Sequence, residues 1–171
     1  MNIVEGLPKL NTQTDAVCEA CAKGKQIKSS FNSKTEVSTS RPLELLHMDL
    51  FGPISTASLS GKYYGYVIVD DYSRYTWVHF LRSKNEAFQH FSKFNKAVQK
   101  EKDAEISKVY SDHGKKFENS KFKSFYEDHG ITHQFSAPRT PQQNGVVERK
   151  NRTLVDMVRS MLCENGLPKY F

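Results

Sequence analysis

The sequence predicts an α/β domain, a mixed five-stranded sheet with flanking helices. Two observations carry this. Three strand-type segments follow one another between residues 43 and 81 with no helical pattern among them, and helical and strand-type patterns then alternate as far as residue 165. A third observation bounds it: 171 residues leave room for one domain and a short appendage.

Residues 1–42 are polar, lack hydrophobic periodicity and carry the basic run Lys23-Gly24-Lys25-Gln26-Ile27-Lys28. From Ser29 onward serine, threonine and lysine dominate, which reads as a linker, and Pro42 marks entry to the folded unit 43–171. In residues 43–50, Leu46, Met48 and Leu50 share one face while Leu45, His47 and Asp49 share the other, the alternation of a strand. Phe51-Gly52-Pro53 ends it. Residues 63–70 are rich in aromatic and β-branched side chains and form the second strand, 71–74 a turn, and 75–81 the third, an antiparallel meander.

Residues 84–102 place Phe88, Phe91, Phe94 and Val98 at three- and four-residue steps, the stripe of an amphipathic helix. A fourth strand at 106–111, a helix at 119–129 carrying Phe122, Phe125 and Tyr126, and a fifth strand at 131–136 follow. The two prolines of 138–141 block regular structure. A helix over 142–165 puts Val146, Val147, Leu154, Val158 and Leu162 on its buried side, with Gly166 as its stop. This order of elements is the ribonuclease H-like pattern.

Composition excludes some classes. No apolar run approaches the length of a membrane span, and the start shows no charged segment followed by an apolar one, so neither a membrane partner nor a secretory signal is expected. Three cysteines argue against a disulfide scaffold and for an intracellular chain; Cys163 reads as a buried or half-buried small hydrophobe. With 25 basic against 19 acidic residues the net charge is +6, a balance that favours polyanionic partners.

Three acidic residues suggest the chemistry. Asp49 lies near the end of the first strand, Asp112 ends the fourth, and Glu148 follows on the last helix with 35 residues between it and Asp112. Two aspartates at strand ends and a glutamate on a helix can converge on Mg²⁺ or Mn²⁺, which take hard oxygen ligands and support in-line phosphodiester chemistry. That convergence requires strands one and four to be parallel neighbours. Any one of the three, taken alone, is more simply a surface or capping carboxylate. No serine, cysteine or tyrosine with an adjacent base offers a covalent route. Asp70 and Asp71 are decoys: followed by Tyr72-Ser73-Arg74 they fit a hairpin turn, with Asp71 hydrogen-bonded to local amides. Gln143, Asn144, Arg149, Lys150 and Arg152 surround Glu148 with donors suited to phosphates, although a solvated basic helix face is the plain alternative.

The stretch from Ala137 to Leu154, containing Thr140-Pro141-Gln142-Gln143-Asn144-Gly145-Val146-Val147-Glu148-Arg149-Lys150-Asn151, closely resembles the integrase of copia-type retrotransposons, as do His47-Met48-Asp49-Leu50-Phe51-Gly52-Pro53 and Asp70-Asp71-Tyr72-Ser73-Arg74-Tyr75-Thr76-Trp77. The resemblance spans nearly the whole chain. It implies a D,D(35)E polynucleotidyl transferase core, with Asp49, Asp112 and Glu148 as metal ligands, that processes DNA 3′ ends and transfers them to duplex target DNA. It further implies homo-oligomers of the full-length protein and action in the nucleus. Cys18-Glu19-Ala20-Cys21 resembles the second half of the His-His-Cys-Cys zinc module that precedes such cores. Structural zinc needs four ligands, so Zn²⁺ is expected only if the two upstream histidines are supplied. On this reading 1–42 is a partial zinc-module remnant with linker, and 43–171 a core lacking its C-terminal helices, the whole truncated at both ends.

The resemblance breaks after Asp112. Where the family reads Asn-Gly-Gly-Glu-Phe, this chain reads His113-Gly114-Lys115-Lys116-Phe117, and two lysines beside the metal site should weaken metal binding. Two other functions therefore stand beside the integrase reading: an inactive nucleic-acid-binding remnant, and a ribonuclease H-type hydrolase of RNA–DNA hybrids.

Overall fold

The structure, a computed structural model, describes residues 39–114, 116–135 and 145–168. Cys18, Cys21, Lys115, Gln143 and Asn144 lie outside the described residues. The elements are β1 (Leu45–Phe51), β2 (Tyr64–Asp70), β3 (Thr76–Leu81), a 3₁₀ turn (Lys84–Glu86), α1 (Ala87–Lys102), β4 (Lys108–Ser111), α2 (Ser120–Asp128), β5 (Thr132–Phe135) and α3 (Gly145–Glu164). The strands form one sheet in the order β3-β2-β1-β4-β5. β1 to β3 are an antiparallel meander, while β1–β4 and β4–β5 are parallel. This is the expected mixed five-stranded sheet with flanking helices.

β1 begins two residues later than its alternation suggests. Leu43 takes a left-handed backbone, φ 61°, in which no strand continues. It is held there because its N–H donates to Asp70 Oδ1 at 3.0 Å and its carbonyl accepts from Ser107 N at 3.2 Å. At the other end Gly52 turns the chain with φ 122°, where a Cβ would stand 2.7 Å from the Tyr63 carbonyl oxygen. Only glycine fits.

Strand alternation sorts the two faces of the sheet. On one, Leu46, Met48, Tyr66, Ile68 and Val109 pack against Phe91, Phe94 and Val98 of α1 and Phe122, Phe125 and Tyr126 of α2, all buried. The other face holds a smaller cluster, Val67 and Val69 under Val147 of α3. In the β1–β2 register Asp49 pairs with Val67 and His47 with Val69, so Asp49 belongs to the face that α3 covers. Asp70 pairs with Leu46 and belongs to the other.

α3 departs from expectation along its C-terminal half. Gly145, Val147, Asn151 and Ser160 are its buried residues. Leu154 and Leu162 are half-buried, and Val158, read as a core position, is 44% exposed. Cys163, read as at least half-buried, is exposed. The helix packs chiefly on β1 and β2 of the sheet, and its apolar spacing continues past the surface that covers it. Met157, Val158 and Met161 consequently form an exposed apolar strip, with Leu167 exposed just beyond the helix. Among the described residues no helix is long and apolar enough to cross a membrane.

Candidate active site

Parallel pairing of β1 with β4 sets Leu45 against Lys108, Leu46 against Val109 and His47 against Tyr110. Carried two residues further, the same register brings Asp49 alongside Asp112, just past the end of β4. Both carboxylates reach one point. Lys116 Nζ lies 3.3 Å from Asp49 Oδ1 and 3.3 Å from Asp112 Oδ2, and donates to the Leu50 carbonyl oxygen at 3.0 Å. The remaining carboxylate oxygens are also held. Asn151 Nδ2 of α3 donates to Asp49 Oδ2 at 2.7 Å, and the Gly114 N–H donates to Asp112 Oδ1 at 3.2 Å.

The donor set suits a hard cation. Two carboxylate oxygens and a backbone carbonyl surround a position already filled by positive charge, and oxygen-only coordination is what Mg²⁺ and Mn²⁺ prefer. Asn151 Oδ1 is buried beside Asp49 without a partner among the described residues, leaving an acceptor for the water of a hydrated ion.

Glu148 is placed differently. It sits exposed in the first turn of α3, three residues before Asn151 and so on a neighbouring part of the same helix face. Among the described residues no group of three His, Cys, Asp or Glu side chains is close enough to hold a metal. The structure thus brings Asp49 and Asp112 together and leaves Glu148 outside the pair. Of the other phosphate candidates, Arg152 is exposed and Lys150 half-buried, while the Arg149 guanidinium folds back toward Gly145.

The decoy aspartates are structural, with their roles exchanged. Asp70, not Asp71, takes a local amide: its Oδ2 accepts from Ser73 N at 2.9 Å, while its Oδ1 accepts from the distant Leu43 N. Asp71 instead accepts from side chains, His47 Nε2 and Arg74 Nη1 at 3.0 Å each and Thr39 Oγ1 at 3.1 Å. Burial pushes the His47 imidazole below its usual range, with Asp71 pulling the other way.

Sequence reasoning missed or misjudged four participants. Asn151 had a signal, its three-residue spacing from Glu148. Lys116 was read as a repulsive neighbour of the metals or a phosphate contact, not as a partner of both aspartates. Ser111 and His133 had no signal, since β4–β5 pairing alone joins them. Ser111 Oγ donates to the Asp112 carbonyl oxygen at 3.0 Å and meets His133 Nε2 at 2.9 Å. A serine beside a base therefore does exist, contrary to the sequence reading. It is no nucleophile, because Ser111 is fully buried and its proton is committed to the Asp112 carbonyl.

His133 packs against Phe135 and Tyr126, with ring centroids at 4.2 and 4.7 Å. Burial, with His113 nearby, brings its pKa down to about 4 from an ordinary 6.5. As pH falls the unfolded chain takes up this proton before the folded one does. Stability is therefore full above about 6.5, declines toward about 4 and levels off below. In urea titrations from pH 8 to 4, His133→Gln is expected to flatten that decline. An unchanged pH profile would place the titration elsewhere.

The comparisons bear on family and fold. The integrase core domain family (rve) matches residues 39–141, which include Asp49 and Asp112 and stop short of Glu148. The Pol polyprotein of transposon TNT 1-94 from Nicotiana tabacum is 40% identical over 154 residues, 90% of this chain and 12% of that protein. That of transposon RE2 from Arabidopsis thaliana is 33% identical over 167 residues, 96% of this chain and 11% of that protein. The chain thus spans about a tenth of the length of these relatives. Among solved structures, the HTLV-2 integrase catalytic core domain in complex with magnesium superposes with a TM-score of 0.55 at 20% identity, covering 74% of this chain and 77% of that one. The simian T-cell lymphotropic virus intasome gives 0.61 at 20% identity, covering 74% and 44%. At such identity these two show the shared fold. Sequence kinship and fold point the same way: the chain belongs to the integrase core domain family, in the form carried by the Pol polyproteins of copia-type retrotransposons.

Proposed function

We propose that this core is a divalent-metal-dependent polynucleotidyl transferase acting on duplex DNA, trimming element 3′ ends and joining them to target DNA. The observation that carries the reading is the convergence of Asp49 and Asp112 on one cation position at the β1–β4 edge. Those two residues would hold Mg²⁺ or Mn²⁺, with Glu148 of α3 as the third carboxylate. When bound, such ions activate an attacking oxygen and neutralise charge on the scissile phosphate.

The chain's own residues supply orientation. Asn151 fixes the Asp49 carboxylate from α3, and the Gly114 amide fixes Asp112 from its own loop. Arg152 and Lys150 offer phosphate contacts that position a duplex without reading its sequence, and the net charge of +6 favours the encounter. The HTLV-2 core was solved with magnesium in trimeric and dimeric forms. By that analogy the proposal extends to Mg²⁺ as cofactor and to homo-oligomers of the longer protein; work in the nucleus belongs to the proposal through the integrase reading alone.

A binding-only remnant has one observation in its favour, the Lys116 ammonium in the cation position. Incubating the chain, joined to flanking Pol sequence, with a labelled element-end duplex in Mn²⁺ and in EDTA separates the readings. Nicks in Mn²⁺ alone are expected. Duplex binding without nicks would leave the remnant, and cleavage confined to an RNA–DNA hybrid would leave the ribonuclease H-type hydrolase.

A further inference from the structure

We propose that Lys116 is the resident cation of this site, and that a divalent ion enters by exchanging with its ammonium group rather than by filling an open carboxylate pair. The inference rests on the reading of Asp49 and Asp112 as the metal-holding pair.

The ammonium donates to Asp49 Oδ1 and to the Leu50 carbonyl, and stands 3.3 Å from Asp112 Oδ2 as an ion pair. Its side chain is only 12% exposed. The loop that delivers it is fixed on both sides. Phe117 is buried at 1% exposure, and its N–H donates to the Gly114 carbonyl at 2.9 Å. Asn119 caps α2 by accepting from Phe122 N at 3.1 Å, and its Nδ2 donates to the Lys116 carbonyl at 3.1 Å. With Phe117 anchored in the core, the Lys116 side chain projects to the carboxylate edge, and Nζ lies 5.1 Å from the Phe117 ring centroid. Cap and core anchor together make the lysine a built part of the site.

Two carboxylates this close repel unless a cation stands between them. Lys116 supplies that charge without metal. A divalent ion taking the same oxygens cannot share the position with an ammonium, because like charges at contact distance repel. Loading therefore requires the lysine to leave, which its flexible four-carbon stem permits. Mere repulsion from a nearby lysine would weaken metal binding without moving the lysine. Exchange does both.

The test follows the lysine and the ion separately in the full 171-residue chain. Amine labelling of Lys116, read by mass spectrometry, should be slow in EDTA and quicken several-fold with saturating Mn²⁺, while surface lysines such as Lys121 stay constant. Lys116→Met should bind Mn²⁺ tighter by about tenfold or more, since one like charge beside the ion is gone. The same variant should melt lower than the parent in EDTA and recover with Mn²⁺. Lys116→Gln keeps a donor for the Leu50 carbonyl and serves if the methionine variant does not fold. Equal Mn²⁺ affinity in parent and variants, with Lys116 labelling indifferent to the ion, would overturn the exchange and leave the metal reading of Asp49 and Asp112 standing. Failure of parent and variants alike to bind Mn²⁺ would overturn both.

Discussion

Asp49→Asn is expected to abolish metal-dependent nicking by the chain joined to its flanking Pol sequence, with Asp112→Asn and Glu148→Gln doing the same. The loss should exceed about 100-fold, since removing even an outer partner of a metal ligand costs roughly 10–100-fold. Each substitution keeps the shape of the side chain and deletes a charge. Stability should change little, because Asp49 is near the surface at 18% side-chain exposure and Asp112 at 40%. The control is Asp71→Asn. Asp71 is buried and accepts from His47, Arg74 and Thr39, so neutralising it disturbs a buried ionic network and should lower stability more than chemistry. Loss of cleavage in a well-folded Asp71→Asn protein, with Asp49→Asn still active, would show that the first aspartate has been misassigned.

Phe122→Ala should destabilise the fold by about 3–5 kcal/mol, the range for deleting a buried phenyl ring. The size of the effect comes from its place in the core. Phe122 has no exposure, and its ring centroid lies 5.3 Å from Phe88, 5.7 Å from Phe91, 5.8 Å from Phe117 and 5.6 Å from Tyr126. These rings tie α1, α2 and the loop after Asp112 together, so the cavity cannot close by the shift of one neighbour. Urea unfolding measures the loss. Because Phe117 anchors the loop that carries Lys116, the variant should also release that lysine, seen as faster amine labelling in EDTA. A loss below about 1 kcal/mol would mean that the core around Phe122 collapses readily and does not brace the site.

Much of the architecture was legible because it is local. Alternation in β1 placed Asp49 opposite Leu46 and Met48, and the structure keeps it there. The stripe of Phe91, Phe94 and Val98 marked the buried side of α1, and Phe122, Phe125 and Tyr126 that of α2. Periodicity failed where an element outruns its partner. The apolar spacing of α3 continues through Val158 and Leu162, but the sheet beneath ends first, so the same pattern yields an exposed strip and an exposed Cys163. It failed again at Leu43, whose left-handed backbone is set by hydrogen bonds to Asp70 and Ser107, contacts that no local pattern encodes.

Acting alone, the sequence determined the order of strands and helices, the face on which Asp49 lies, and through its motifs the family to which the chain belongs. Each of these depends on neighbours a few residues apart or on strings of residues read as they stand. Tertiary structure alone decided which charges meet. β1 and β4 are joined by backbone hydrogen bonds in a parallel register that any two strands could share, so neither strand announces that Asp49 and Asp112 will face one cation position. Lys116 reaches that position because Phe117 is drawn into the core, and Asn151 reaches Asp49 across 102 residues of chain because Val147 seats α3 on Val67 and Val69. Burial of apolar side chains, not the charges themselves, placed the ammonium between the carboxylates, since a charged group follows wherever its neighbours in the chain find their core.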